Sequence, residues 1–272
     1  MPEPITDEAV SALMPDLRAV MREAAEIARP FFRLGQKTTA RVWSKAGGSP
    51  VTEADVAVDT FLKIRLSDLV PRAAWLSEET ADDPARIGRD LVWIVDPIDG
   101  TRAFLSGHPD WSIAVALLAG GEPVIGFVDA PAKEAAYEAV RGRGATRNGE
   151  PIRVAPRQDL ARARVTGPKP MLERLTRGAG QDPEFVVVER IPSLALRLAR
   201  VAEGSVDVGV VSADARDWDL AAADLVLREA GGVVCDLAGL PTTYNRADPV
   251  HGALLAVPLT LRDPVLAAWR DG

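Results

Sequence analysis

One cysteine and two histidines stand among the 272 residues, and that scarcity excludes several kinds of chemistry. A lone thiol, Cys235, rules out a disulfide framework within the chain and fits a reducing compartment, so a cytoplasmic location is expected. Val233-Val234-Cys235 reads as a strand, which makes the thiol buried core rather than a nucleophile. His108 and His251 are far apart in sequence, which argues against a zinc site or a histidine-based triad. Apolar runs are short, and none approaches the ~20 residues that a membrane-spanning helix needs. Met1 to Ala9 is acidic with no apolar core, so no signal peptide is expected. Positive charge is in deficit: 32 Lys and Arg against 39 Asp and Glu leave a formal net charge of −7. Contact with nucleic-acid polymers, which needs basic surface, is therefore not expected. An anionic ligand would need a local counter-charge, and a metal site would supply one.

Core-forming residues are abundant. At 47% hydrophobic, the chain can bury one large or two modest cores. Val10, Leu13, Met14, Leu17, Val20, Met21, Ala24 and Ile27 keep helical spacing after Thr6-Asp7-Glu8. Pro15 either begins the main helix of this run or kinks one. Lys45 to Pro50 reads as a loop, and Thr52-Glu53-Ala54-Asp55 has the form of a capping box for a second helix. Short strands are expected at Ala73–Leu76 and Leu91–Val95, with a polar loop over 81–90 between them. Gly120-Gly121 signals a hairpin between Ser112–Leu118 and Pro123–Val128, and Asn148-Gly149 another between Ala135–Val140 and Pro151–Val154. From about residue 156 strands and helices alternate, ending with a helix over Leu220–Ala230 and strands at Val233–Asp236 and Leu254–Val257. The expected organisation is an α+β half with antiparallel strands over 1–155 and an α/β half over 156–272, packed closely with a site between them.

The chain is organised around Leu91 to Thr101. An apolar run stops at Asp96, Pro97 denies the ladder an N–H, and Asp99 follows three residues later. Gly100-Thr101 lets the backbone come close to a ligand. Two carboxylates in a tight turn suit a divalent cation that shares its oxygens with a phosphate, although Asp-Pro-x-Asp-Gly is also an ordinary turn sequence. Further acids sit at the edges of apolar elements, at Ser77-Glu78-Glu79-Thr80 and Asp217-Trp218-Asp219.

Together these stretches resemble the inositol monophosphatase-like superfamily of Mg²⁺-dependent, lithium-sensitive phosphatases. The motifs are Asp96-Pro97-Ile98-Asp99-Gly100-Thr101, Trp218-Asp219-Leu220-Ala221-Ala222 with Glu229-Ala230-Gly231-Gly232, Glu78-Glu79, and Val51-Thr52-Glu53-Ala54-Asp55. The resemblance implies a layered α-β-α-β-α sandwich. It implies two or three Mg²⁺ ions. Glu78, Asp96 and the Ile98 carbonyl would hold the first, and Asp96, Asp99 and Asp219 the second. Glu78 and Thr101 would position and deprotonate the attacking water. Asp55 would hydrogen-bond to Thr101 or support a third ion. Gly100, Thr101 and Arg102 would cradle the phosphate. Beside these roles stand plainer readings: Asp55 as a helix-start residue, Asp219 or Asp217 as an N-cap, Glu79 as a neighbouring or surface acid, Trp218 as core or wall. A non-catalytic metal-binding relative is the competing class, but every acid of the motif and its threonine are present. Dimerisation is common in the family, so a homodimer is an expected partner state.

Substrate assignment rests on fewer residues. Inositol phosphatases place a glutamate where this chain has Ser212. Arg102-Ala103-Phe104 after the Asp-Gly-Thr is similar to the basic residue of bacterial 3′(2′),5′-bisphosphate nucleotidases, as are Ser49-Pro50-Val51-Thr52 and Tyr244-Asn245. Ala103 departs from their glutamate. Arg197 falls where they carry a lysine, and reads either as the cation for a second phosphate or as a solvated helix residue. Trp111 reads as core or as a base-stacking ring. The expected substrate is a small phosphorylated metabolite: adenosine 3′,5′-bisphosphate ahead of inositol 1-phosphate, with histidinol phosphate third.

Overall fold

In the computed structural model, which describes residues 5–45, 48–180 and 183–272, two large sheets alternate with three helical layers. Four residues of the expected acidic N-terminus and two of the expected 45–50 loop lie outside the described residues. The chain opens with α1 (Asp7–Ala12) and α2 (Met14–Ala28). Pro15 sits in the first turn of α2, where a missing N–H costs nothing, so it starts the main helix and does not kink it. A hairpin of β1 (Val42–Ser44) and β2 (Pro50–Thr52) leads into α3 (Glu53–Leu69), whose capping box is formed by Thr52 and Asp55.

Next come β3 (Ala74–Ser77), β4 (Leu91–Asp99), the short α4 (Thr101–Ser106), β5 (Ser112–Ala119), β6 (Glu122–Ala130) and β7 (Ala135–Val140). The expected second hairpin carries an additional strand. β8 (Ala145–Arg147) and β9 (Glu150–Ile152) flank the Asn148-Gly149 turn, and β8 returns onto β7. Both turn residues have positive φ, as an Asn-Gly turn allows. These seven strands make one sheet in the order β3-β4-β5-β6-β7-β8-β9. It is antiparallel except that β3 pairs parallel to β4, because the 78–90 segment crosses back over the sheet.

The second sheet contains β10 (Arg164–Thr166), β11 (Val186–Val187), β12 (Val208–Val211), β13 (Gly232–Asp236) and β14 (Leu254–Pro258). Its order is β11-β10-β12-β14-β13, with β10 parallel to both neighbours. Helices α5 (Lys169–Gly178), α6 (Leu194–Ala202), α7 (Asp217–Glu229) and α8 (Arg262–Asp271) complete the chain.

Alternation along the strands explains the layers. Leu91, Trp93 and Val95 of β4 face α2 and α3, while Val92 and Ile94 face α6 and α7. The opposite side of the α6–α7 layer meets Val211, Leu254 and Ala256 of the second sheet. That sheet's other face, including Val208, Leu255 and the buried Cys235, packs on α5 and α8. The result is the layered α-β-α-β-α sandwich. No helix among the described residues is long and apolar enough to cross a membrane.

Candidate active site

All nine residues of β4 are buried, and the strand does not end at Asp96 as the sequence suggests. It pairs Asp96 with Ala114 and Asp99 with Ser112, with an irregular register between them. Pro97 falls inside that irregularity, where its missing N–H breaks no ladder bond. The bulge brings both carboxylates to one end of the sheet. Asp96 accepts the Ile98 amide at 3.0 Å through Oδ1, while Oδ2 is buried with no hydrogen-bond partner.

Asp99 reaches across to the other half. Its Oδ2 accepts the Ser193 hydroxyl at 2.6 Å and the Ala195 amide at 2.7 Å, at the start of α6. Between them, Gly100 turns with φ of 89°. A Cβ there would lie 3.1 Å from the Asp110 carbonyl and 3.2 Å from the Ser193 nitrogen, so glycine is required by both conformation and space. Asp219, in the first turn of α7, accepts the Arg216 amide at 2.6 Å. It therefore both caps its helix and faces the site. Asp217 does not cap. It is fully buried, accepting the Asn245 amide and pairing with His251, each at 2.7 Å.

Oxygens of Asp96, Asp99 and Asp219 converge within 4.8 Å of one another. With Glu78 they line a cavity of about 330 Å³ that also takes in Gly100, Thr101 and Arg102. Burial, then the neighbouring carboxylates of Glu78, Asp99 and Asp219, pushes the Asp96 carboxyl well above its usual range. Burial and Asp99 do the same to Asp219. Burial raises Asp99 to about 6 against the opposing pull of Ser193 and the α6 amides. The set fits a hard divalent cation, which would convert that mutual repulsion into attraction and give the buried Asp96 oxygen a partner.

Thr101 donates its hydroxyl toward the Ile98 carbonyl at 3.1 Å and Asp55 Oδ1 at 3.3 Å. Asp55, fully buried, accepts the Thr52 amide at 2.8 Å and the Thr52 hydroxyl at 2.5 Å through Oδ2. Burial raises its carboxyl to about 6. Asp55 thus starts a helix and also bonds Thr101, which lines the cavity. Asp59 of α3 accepts the hydroxyls of Ser77 and Thr80 and so holds the turn that carries Glu78.

Several expectations need correction. Arg197 does not reach the cavity. It is 4% exposed and its guanidinium serves the carbonyls of Ile191 and Val210, a structural role that neither earlier reading anticipated. Ser212 is exposed just past β12 and does not line the cavity. Of the two readings of Trp111, core is the one that holds: it is fully buried, tilted against Phe32 and edge-on to Phe104. Of the readings of Glu79, the neighbouring acid holds and the surface acid does not: its side chain is 6% exposed and pairs with Lys45 at 2.7 Å. Two residues were missed. Lys45 also bonds Glu78 at 3.0 Å, and no motif marks it. Arg190 lines the cavity from the segment before α6, and only its charge near Ser193 could have drawn notice.

Comparison with known proteins agrees with this geometry. The sequence profile of the Inositol monophosphatase family matches residues 9–265. The chain is 31% identical to the 3′(2′),5′-bisphosphate nucleotidase CysQ of Aggregatibacter actinomycetemcomitans, over 87% of this chain and 88% of that one. It is 35% identical to a histidinol-phosphatase of Mycobacterium tuberculosis (85% and 89%) and 34% identical to an inositol-1-monophosphatase of Mesorhizobium japonicum (87% and 89%). The solved Thermotoga maritima IMPase superposes with a TM-score of 0.78 at 27% identity, covering 93% of this chain and 94% of its own. Motif order, layered fold and convergent carboxylates thus agree with a profile spanning nearly the whole sequence, and the chain belongs to the inositol monophosphatase family.

Proposed function

We propose that the chain is a Mg²⁺-dependent phosphomonoesterase of the cytoplasm whose preferred ester is adenosine 3′,5′-bisphosphate. The phosphatase class follows from the family. Mg²⁺ follows from an all-oxygen donor set at a site that must also hold a phosphate. Glu78, Asp96 and the Ile98 carbonyl would hold one ion, and Asp96, Asp99 and Asp219 would hold a second. When bound, the ions supply charge that neutralises the phosphoryl oxygens and assists both the attacking water and the leaving oxygen. The side chains supply position and proton transfer. Asp55, fixed by Thr52, keeps Oδ1 on the Thr101 hydroxyl, which leaves the Thr101 lone pairs free to orient the water. Glu78 takes the water's proton.

The observation that favours a bisphosphate is the charge of the cavity outside the metal ligands. Arg102 and Arg190 both line it, both are exposed, and neither makes an ion pair or side-chain hydrogen bond among the described residues. Two uncommitted guanidinium groups suit a second phosphate. They oppose the amine of histidinol phosphate and are wasted on a neutral polyol.

The test is phosphate release with Mg²⁺ from adenosine 3′,5′-bisphosphate, inositol 1-phosphate and histidinol phosphate, compared by kcat/KM. A preference of about a hundredfold for the nucleotide, equal to ~2.7 kcal/mol of transition-state discrimination, is expected. A preference for either other ester refutes the substrate reading and leaves the phosphatase class standing.

A further inference from the structure

A second cavity, of about 640 Å³, lies between α5 and the edge strand β11. Its walls are largely apolar, with Leu172, Val187 and Val188 facing it across Gly167. Val187 stands 66% exposed and Val186 47% exposed, on a strand of only two residues. Arg190 lines this groove and the catalytic cavity alike. The chain runs along the groove from Val187 to Arg190 and then enters the catalytic cavity at Pro192. The two spaces are therefore neighbouring parts of one cleft, divided at a guanidinium with no ion-pair partner among the described residues.

This layout has a chemical consequence. An ester whose reacting phosphate lies at the carboxylates, and whose second phosphate meets Arg190, directs the remainder of its leaving group toward the groove. Leucine and valine walls favour a flat apolar ring, because burying its faces removes both surfaces from water. A polyol would gain nothing there. Lys169 and Arg177 against Glu173 on the α5 wall, with Arg190 against Glu189 on the opposite wall, leave the groove with a net positive charge of one.

We propose that the groove between α5 and β11 holds the nucleobase of a bisphosphate nucleotide, with Arg190 gripping the second phosphate at the junction. The proposal rests on the substrate reading above. It adds the position of the base and makes Val187 and Arg190 specificity-determining residues.

The test compares wild type, Val187→Trp and Arg190→Gln on adenosine 3′,5′-bisphosphate, 3′-AMP and glycerol 2-phosphate, an ester too small to reach the groove. Val187→Trp should lower the ratio of nucleotide to glycerol phosphate kcat/KM at least tenfold, equally for both nucleotides and chiefly through KM. Arg190→Gln should instead collapse the preference for the bisphosphate over 3′-AMP. General damage to the fold would lower all three substrates together. Thr176→Trp, from the α5 wall, replaces Val187→Trp if that variant does not fold. Unchanged ratios in the filled groove overturn the proposal even if wild type prefers the nucleotide. If wild type prefers inositol or histidinol phosphate, the substrate reading fails by itself. The groove is then judged by AMP inhibition of glycerol phosphate hydrolysis, and inhibition that is absent, or equal in wild type and Val187→Trp, overturns it as well.

Discussion

Asp96 combines two features at atomic scale: one carboxylate oxygen is fixed by the Ile98 amide and the other is buried without a partner. Asp96→Asn keeps the acceptor that orders the turn and removes the charge that would hold a cation. Turnover should fall at least ~100-fold, and the heat of Mg²⁺ binding in titration calorimetry should be lost, while the circular dichroism spectrum is preserved. Near-normal activity in this variant would refute the metal assignment. Asp129 on β6 shows a different effect of burial. Desolvation raises its carboxyl to about 7, with Glu138 adding and Arg29 opposing. An acid whose folded pKa lies above its unfolded value stabilises the fold at low pH and loses that contribution as pH rises from about 4 to about 7. Asp129→Asn should therefore melt higher than wild type at pH 8, by ~2 °C or more, and match it near pH 4. Charges such as these were legible in the sequence, but their surroundings were not. Arg197 has apolar neighbours on both sides, and only the packing of α6 decided that it faces backbone carbonyls and not the substrate.

At the scale of elements, the site depends on how chains start and stop. The Thr52–Asp55 capping box was readable because a cap is a local pattern of four residues. The bulge in β4 was not, because register is set by the partner strand. Ser193 caps α6 through the Leu196 amide, donates to Asp99 and bonds Ser112 at 2.9 Å. One hydroxyl thus joins a helix start to an acid of the convergent cluster. Ser193→Ala should cost about 1–2 kcal/mol in urea unfolding. It should also weaken Mg²⁺ binding, since Asp99 loses the shortest of its hydrogen bonds. A stability loss with unchanged metal affinity would show that the cap matters and its contact with Asp99 does not.

Across the whole molecule, Glu78, Asp96 and Asp99 come from the part of the chain that forms the seven-stranded sheet, and Asp219 from the part that forms the five-stranded one. A buried arginine ties the two. Arg86, 1% exposed, bonds Asp82 through two nitrogens at 2.6 and 2.8 Å, then Asn245 Oδ1 at 2.7 Å and the Arg246 carbonyl at 3.1 Å. The Asn245 amide in turn donates to Asp217, two residues from Asp219. Removing this strut leaves Asp82 and Asn245 without their donor. Arg86→Met should destabilise the protein by about 2 kcal/mol or more, and should reduce kcat through a displaced Asp219. Full activity at lowered stability would separate the strut from the chemistry.

The sequence by itself carried the ordered motifs that mark the family and the hydrophobic periods of most elements, because both are properties of the chain read in one dimension; the layered architecture and the candidate acids followed from the resemblance those motifs carry. Tertiary structure decided which charges are available to a ligand. Arg197 was consumed by the core, Glu79 was claimed by Lys45, and Arg190 was left facing two cavities. Hydrogen-bond partners and burial for these side chains come from segments distant in sequence, and those neighbours exist only once the sheets and helices have packed.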